Sequence, residues 1–274
     1  MEELFVTQSM DDLCDYQSLF DDPMFNDVPS YYTPTSYEPY VWEGTEPIMT
    51  QAEIEAVMTE SVLPADMVAQ SALEAQRFFG LPDPAAIIPI DETCMISWMK
   101  DSFFDDVIGF NQQQLIDMGI TTKEAVDLVM SHEAAHRIFQ DYDFKGVNDG
   151  AWEHELASDF MAGVRAGIDG INTEQFSDAL MGSGGATHPT GNLRADFIDE
   201  GKEFVENYRA ENNGQNPSFE ECREHLESHL KDSRFDIIAA RTSLDALGVE
   251  GMYGDSFFDI AMNKTNEFFT KVFS

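Results

Sequence analysis

The run of residues from 121 to 142 constrains the fold most, because it contains no glycine or proline and repeats apolar side chains at helical spacing. Thr121 is followed three residues later by Glu124, a pair that is typical of a capping box at the start of a helix. The sequence therefore predicts a helix over about 121–142.

This helix carries the sequence His132-Glu133-Ala134-Ala135-His136. Residues four apart lie about 40° apart around a helix, so both imidazoles project from one side and can bind one ion. Glu133 lies at the edge of that face, where it can accept a proton from water without being a ligand. The face with the histidines continues along the helix with the apolar residues Leu128, Val129 and Phe139. The opposite face carries the charged residues Asp127, Arg137 and Asp141. The histidines are therefore expected to face the interior.

A catalytic zinc ion needs a third protein ligand beside an open position for water. A second helix is predicted over about 150–167, where Glu155 and Asp159 lie four residues apart and share a face lined further along by small residues. Glu155 is the predicted third ligand. Asp159 is predicted to accept the N–H of a ligand histidine and so fix its tautomer. Glu153 and His154 are predicted to point elsewhere on the helix.

An HExxH helix followed by a helix with E-x-x-x-D resembles the gluzincin metallopeptidases, and the short interval to Glu155 is similar to that of thermolysin-like enzymes. The later stretch THPTGNLR, residues 187–194, resembles the H-P-x-x-x-x-R element of the CAAX prenyl protease family and its soluble relatives. Together these motifs cover about 105–200. The resemblance implies a zinc-dependent endopeptidase with one zinc ion per chain.

The resemblance implies that the zinc ligands are His132, His136 and Glu155 and that Glu133 is the general base. By the same resemblance His188 and Arg194 border the cleft, with Arg194 holding carboxylates such as Asp159. His188 is the first candidate for a donor to the developing oxyanion, and Tyr142 is the second. The apolar residues 107–110, predicted to form a short strand, are a candidate for pairing with an extended peptide.

The overall pattern predicts an α+β chain, mostly α, with a zincin-like core, a small sheet and additional C-terminal helices. Residues 1–50 are predicted to form an acidic, aromatic, irregular segment, and residues 51–274 are expected, from the resemblance, to form the metallopeptidase domain. Between residues 50 and 79 a helical pattern is split by Pro64, and two or three helices fill 192–273. The aromatic residues near the C-terminus are predicted to pack in the core.

The charge is strongly negative: 52 acidic residues against 15 basic ones give a net charge of -37. Such a field repels nucleic acid and anionic membrane surfaces and attracts cationic peptides or divalent metals, so nucleic acid is not expected as a partner. A peptide or protein substrate is what the resemblance implies. No secretory signal or apolar stretch of about 20 residues is visible, which favours a cytoplasmic protein by default and leaves export by another route open. This absence of spans, with the shorter helix-to-helix interval, disfavours a prenylated membrane substrate. No oligomeric state follows from the pattern.

Two alternatives to a peptidase remain open at this level. One is a non-catalytic zinc-binding protein that keeps the metal for stability, and the other is an interaction protein whose acidic N-terminal segment engages a partner. A second metal site is not predicted at Cys222, His225 and His229, which are interpreted as a solvated helix face. Three cysteines are too few and too scattered for a disulfide framework.

Overall fold

The computed structural model describes residues 48–58, 62–81, 85–89, 96–99, 107–141, 144–147, 150–181, 184–185 and 188–247. The acidic N-terminal segment, Tyr142 and the C-terminal aromatic residues lie outside these ranges. The predictions made for them are therefore not addressed by the structure.

Helices dominate the described part of the chain, as predicted. The helices are α1 (Gln51–Val57), α2 (Ala65–Phe78), α3 (Gln112–Asp117), α4 (Lys123–Asp141), α5 (Ala151–Asp169), α6 (Glu174–Ala179), α7 (Gly191–Glu211), α8 (Phe219–Asp232) and α9 (Arg234–Leu247). The strands are β1 (Ala86–Pro89), β2 (Ile96–Met99) and β3 (Val107–Phe110). None of the described helices combines the length and apolar character needed to cross a membrane.

The first two helices are separated at Pro64, as the sequence predicts. Thr50 caps α1: its hydroxyl accepts from the Glu53 amide at 3.3 Å, and the Glu53 carboxylate accepts from the Thr50 amide at 2.8 Å. Pro64 is the N-cap of α2. It can start a helix there because its missing N–H would have no partner in the first turn.

The predicted strand at Val107–Phe110 is present as β3, and it lies between the other two strands. β1 pairs with β3 in parallel and β2 pairs with it in antiparallel orientation. Both hydrogen-bonding edges of β3 are therefore already used. The prediction that residues 107–110 pair with a peptide substrate is wrong, because strand addition needs an open edge.

Helix α4 begins two residues later than the predicted capping box. The Thr122 hydroxyl accepts from the Ala125 amide at 3.2 Å. The amides of Thr121 and Thr122 both donate to the Gln175 side-chain oxygen at 3.1 Å. The capping box of Thr121 with Glu124 is thus wrong, because α6 supplies the acceptor from 54 residues away.

Helix α4 is buried around its circumference. On one side of α4, Val126, Val129 and Met130 pack in a cluster with residues of α2. On the other side, Ala135, Ile138 and Phe139 pack in a second cluster with residues of α5 and α8. The charged positions opposite the histidines are not exposed either, since Asp127 and Arg137 are buried. Asp127 is neutralised by Lys123, whose Nζ lies 2.8 Å from its carboxylate. A helix this enclosed can hold ligand side chains with little freedom.

Helices α5 and α7 approach each other closely through glycine. A Cβ atom added at Gly163 would overlap the carbonyl oxygen of Ile198, and one added at Gly201 would overlap the carbonyl oxygen of Phe160. The two backbones therefore touch at these positions. This close approach brings Arg194, near the start of α7, against Asp159 on α5.

Helix α8 packs with its Cys222 face inward, so the interpretation of this face as solvated is wrong. Cys222 is buried, and burial raises the pKa of its thiol to about 12. His225 is half-buried and stacks on the ring of Phe204, with centroids 4.2 Å apart. Its Nε2 lies 2.6 Å from a carboxylate oxygen of Glu200 on α7. These side chains join α8 to the helices beneath it.

Candidate metal centre

The side chains of three potential metal ligands converge between α4 and α5. His132 Nε2 lies 3.1 Å from His136 Nε2. The carboxylate of Glu155 places Oε2 at 3.2 Å from His132 Nε2 and Oε1 at 3.4 Å from His136 Nε2. Among the residues that the structure describes, His132, His136 and Glu155 form a group that could hold a metal ion. The prediction that these three residues meet at one point is confirmed.

The closest separations are similar to those between ligands around a small tetrahedral ion. Zinc takes nitrogen and oxygen ligands at about 2.0–2.1 Å, which places two tetrahedral ligand atoms roughly 3.4 Å apart. The three closest separations lie between 3.1 and 3.4 Å, with the two imidazoles facing different oxygens of Glu155. With one ligand atom taken from each residue, the three atoms lie within 4.8 Å of one another. Two imidazole nitrogens this close, beside a carboxylate, favour a shared cation. The residues present therefore fit a metal ion with three protein ligands.

Asp159 connects the site to α7. Its Oδ1 lies 2.9 Å from His132 Nδ1, on the side of the ring away from the convergence point. The guanidinium of Arg194 donates to both oxygens of Asp159, from Nε at 2.8 Å and from a terminal nitrogen at 3.0 Å. The predicted contact of Asp159 with Arg194 is present, and Asp159 lies next to His132 as predicted. The predicted hydrogen bond from His132 is not formed, because its Nδ1 does not meet hydrogen-bond geometry with any group of the described residues.

The charges in the cluster are strongly coupled. Burial disfavours the charged form of His132, but Asp159 and Glu155 outweigh it and raise the pKa to about 10. Burial acts against the Glu155 anion as well, yet His188, His136 and His132 hold the pKa of that carboxyl well below its usual range. Burial lowers the pKa of His136 well below its ordinary value. The site thus holds the Glu155 carboxylate ionised among buried imidazoles.

Glu133 lies beside this cluster. Burial raises the pKa of Glu133 to about 7, and the charge of Glu155 adds to this, while His132, Arg194 and His188 oppose it. Glu133 follows His132 directly on α4, and its charge is coupled to those of the same four groups. It is not one of the three converging ligands.

The loop before α7 carries His188 to the same place. The indole N–H of Trp152 donates to the carbonyl of Gly185 at 2.9 Å, and the Gly185 amide donates to the carbonyl of His188 at 2.8 Å. Gly184 has φ of +78°, a conformation that favours glycine and turns the loop back. His188 Nε2 lies 3.5 Å from Glu155 Oε2. The structure therefore brings His188 to the border of the site.

All seven predicted site residues lie in this one region between α4, α5 and α7. No protein-family model, curated protein or solved structure matches this chain. Function is therefore inferred from the chemistry of the site itself.

The sequence missed His154, which was predicted to point away. The Nδ1 atom of His154 lies 2.8 Å from Nδ1 of His136, and Ser158 Oγ lies 3.1 Å from the same Nδ1 of His136. His154 and Glu155 are neighbours in sequence, about 100° apart around α5, and they flank the His136 ring on two sides. The signal available in the sequence was the spacing of His154 and Ser158, which puts both on one strip of the helix. Glu153 does point elsewhere, to Arg241 at 3.0 Å.

Proposed function

We propose that this protein is a zinc-dependent peptidase of the gluzincin type. The observation that carries the proposal is the convergence of His132, His136 and Glu155 at separations close to those of tetrahedral ligands. Glu133 follows His132 directly, on the edge of the helix face that carries both histidines. This combination of three ligands and an adjacent carboxylate is what a metal-assisted hydrolase requires.

Zinc is the proposed ion because the donors are two imidazoles and one carboxylate. This set suits zinc, and three protein ligands leave a fourth position open. Arg194 and Asp159 complete the surroundings: the arginine compensates the aspartate, and the aspartate lies next to His132. When bound, the ion would polarise a water molecule and the scissile carbonyl group.

The residues of the chain divide the remaining work. Glu133 accepts a proton from the attacking water and passes it to the amine nitrogen that leaves. His188, at the mouth of the site, donates a hydrogen bond to the carbonyl oxygen as negative charge develops on it. The enclosure of α4 keeps His132 and His136 in place during the reaction, since both rings are buried.

Elemental analysis of the purified protein tests the metal site. The wild-type chain is expected to carry about one zinc ion, and Glu155→Ala to lose most of it. Glu153→Ala is the matched control, because Glu153 lies on the same helix but pairs with Arg241 outside the site. Equal zinc content in all three proteins would contradict the assignment of Glu155.

Glu133→Gln tests catalysis separately from binding. The variant is expected to retain zinc and to lose at least about 100-fold in the rate of peptide hydrolysis, because the amide cannot accept the proton. A variant that retains both zinc and full activity would remove Glu133 as the base. A zinc-loaded wild type that cleaves no member of a diverse peptide library would support the alternative of a non-catalytic metal protein.

A further inference from the structure

The ring of His136 makes polar contacts through both of its nitrogens. Its Nε2 faces His132 and Glu155, whereas its Nδ1 lies 2.8 Å from Nδ1 of His154. The planes of the His136 and His154 rings differ by only 6°, with centroids 4.9 Å apart. Two imidazole rings that lie in nearly the same plane and share a nitrogen–nitrogen hydrogen bond have this arrangement.

In such a contact one of the two nitrogens carries the proton and the other presents its lone pair. A neutral imidazole has one N–H donor and one nitrogen with a free lone pair. If Nε2 of His136 presents its lone pair to a metal, Nδ1 carries the proton and needs an acceptor. His154 Nδ1 can be that acceptor, with its own proton on Nε2.

We propose that His154 is a positioning residue for the metal centre: it accepts the Nδ1–H of His136 and thereby keeps the Nε2 lone pair directed at the metal. The proposal rests on the proposed metal site and adds to it a residue that is not a ligand. The two ligand histidines then have different neighbours, because His132 Nδ1 lies 2.9 Å from the carboxylate of Asp159 whereas His136 Nδ1 contacts an imidazole ring.

The surroundings hold His154 in this orientation. The ring of Phe139 packs edge-on against it, with centroids 5.4 Å apart and planes at 78°. The backbone carbonyl of His154 accepts a hydrogen bond from Ser158 Oγ at 3.1 Å. The ring of His154 is thus packed between Phe139 and His136.

Ser158 is the competing acceptor. Its oxygen lies 3.1 Å from His136 Nδ1 and has lone pairs left after donating to the His154 carbonyl. The contact to His154 is shorter by 0.3 Å. We therefore expect His154 to contribute more than Ser158, and the two can be separated by substitution.

The test compares His154→Phe with His154→Asn in the full chain. Phenylalanine keeps a ring against Phe139 but has no acceptor, whereas the side-chain oxygen of asparagine can take the place of Nδ1. Zinc affinity is measured by competition with a chromophoric chelator. His154→Phe is expected to bind zinc about 10–100-fold more weakly, the usual cost of removing a partner of a ligand histidine, and His154→Asn to stay within about threefold of wild type.

The visible spectrum of the cobalt-substituted protein gives a readout that a loss of packing alone would not reproduce. The absorption bands of His154→Phe are expected to be shifted from those of the wild type. Those of His154→Asn are expected to match the wild type, because the asparagine oxygen restores the orientation of His136. Thermal unfolding of the metal-free variants checks that each is folded, and His154→Leu replaces the phenylalanine variant if it is not. Ser158→Ala is expected to weaken zinc binding less than His154→Phe.

The outcomes separate this proposal from the proposed function. Zinc binding that is lost in Glu155→Ala but unchanged in His154→Phe and His154→Leu would overturn the role of His154 alone. A larger loss in Ser158→Ala than in His154→Phe would assign the acceptor to Ser158 instead. A wild-type chain that does not bind zinc would overturn both proposals.

Discussion

Asp159 joins the two sides of the site, because its oxygens contact both His132 and Arg194. A carboxylate that is completely buried is stable only when its charge and its hydrogen-bonding capacity are met. The paired contact with the guanidinium meets both needs. The arginine, which is not a ligand, is therefore expected to determine whether the site can form.

Replacing Arg194 by alanine is expected to lower the free energy of unfolding by about 3–5 kcal/mol, since the buried Asp159 would be left without its counter-charge. Arg223→Ala is the control, because the pair of Arg223 with Glu220 lies on the surface and is worth at most about 1 kcal/mol. Urea unfolding of the metal-free proteins measures both changes. Equal losses in the two variants would show that the buried pair does not hold the helices together.

At the scale of the helices, the contact between α5 and α7 sets the distance across the site. Gly163 and Gly201 let the two backbones touch, and Arg194 reaches Asp159 from the start of α7. A longer side chain at either glycine would push the helices apart. The stability of this pair and the geometry of the metal centre are therefore coupled.

Gly163→Ala tests that coupling through the sign of its effect. On helix propensity alone the substitution would stabilise by about 0.5–1 kcal/mol. We expect it instead to destabilise by about 1–3 kcal/mol, because the added methyl group overlaps the Ile198 carbonyl and the backbone must move. Urea unfolding gives the sign, and stabilisation would mean that the helices are further apart. Zinc affinity is expected to fall in the same variant.

The buried face of α8 has a chemical consequence at Cys222. With the pKa of its thiol raised from 9.0 to about 12, the thiolate fraction at pH 8 is about a thousandfold lower than for a free thiol. Alkylation of the native protein at pH 8 is expected to modify Cys222 at least a hundredfold more slowly than alkylation in urea. Peptide mass mapping distinguishes Cys222 from the other two cysteines. Similar rates would restore the interpretation of a solvated face.

The site residues were largely predictable because helix periodicity is local: spacings of four residues paired His132 with His136 and Glu155 with Asp159. What depended on packing between elements was not predictable. The acceptor for the start of α4 comes from Gln175, and both edges of β3 are covered by strands that the sequence pattern did not reveal. His154 belongs to the same class, since its contact depends on the rotation of α5 against α4.

For the molecule as a whole, the net charge of -37 is the dominant long-range term. Folding concentrates this charge, and the resulting repulsion destabilises the compact state relative to the extended chain. Only 15 basic residues are available to offset it, and several of them are used in pairs such as Lys123 with Asp127. Repulsion of this kind acts between exposed groups, which makes it sensitive to salt in a way that the buried pairs are not.

Raising the concentration of potassium chloride from 10 mM to 500 mM is therefore expected to raise the midpoint of thermal unfolding by several degrees, because the screening length falls from roughly 30 Å to below 5 Å. A variant with exposed acids neutralised, Glu55→Gln, Glu203→Gln and Glu206→Gln, is expected to start from a higher midpoint at low salt and to respond less. The Arg194→Ala variant serves as the contrast: its deficit against wild type is expected to persist at 500 mM, because the Arg194–Asp159 pair is buried away from solvent ions. A midpoint that falls with added salt would mean that attractive pairs outweigh the net repulsion despite the 52 acidic residues.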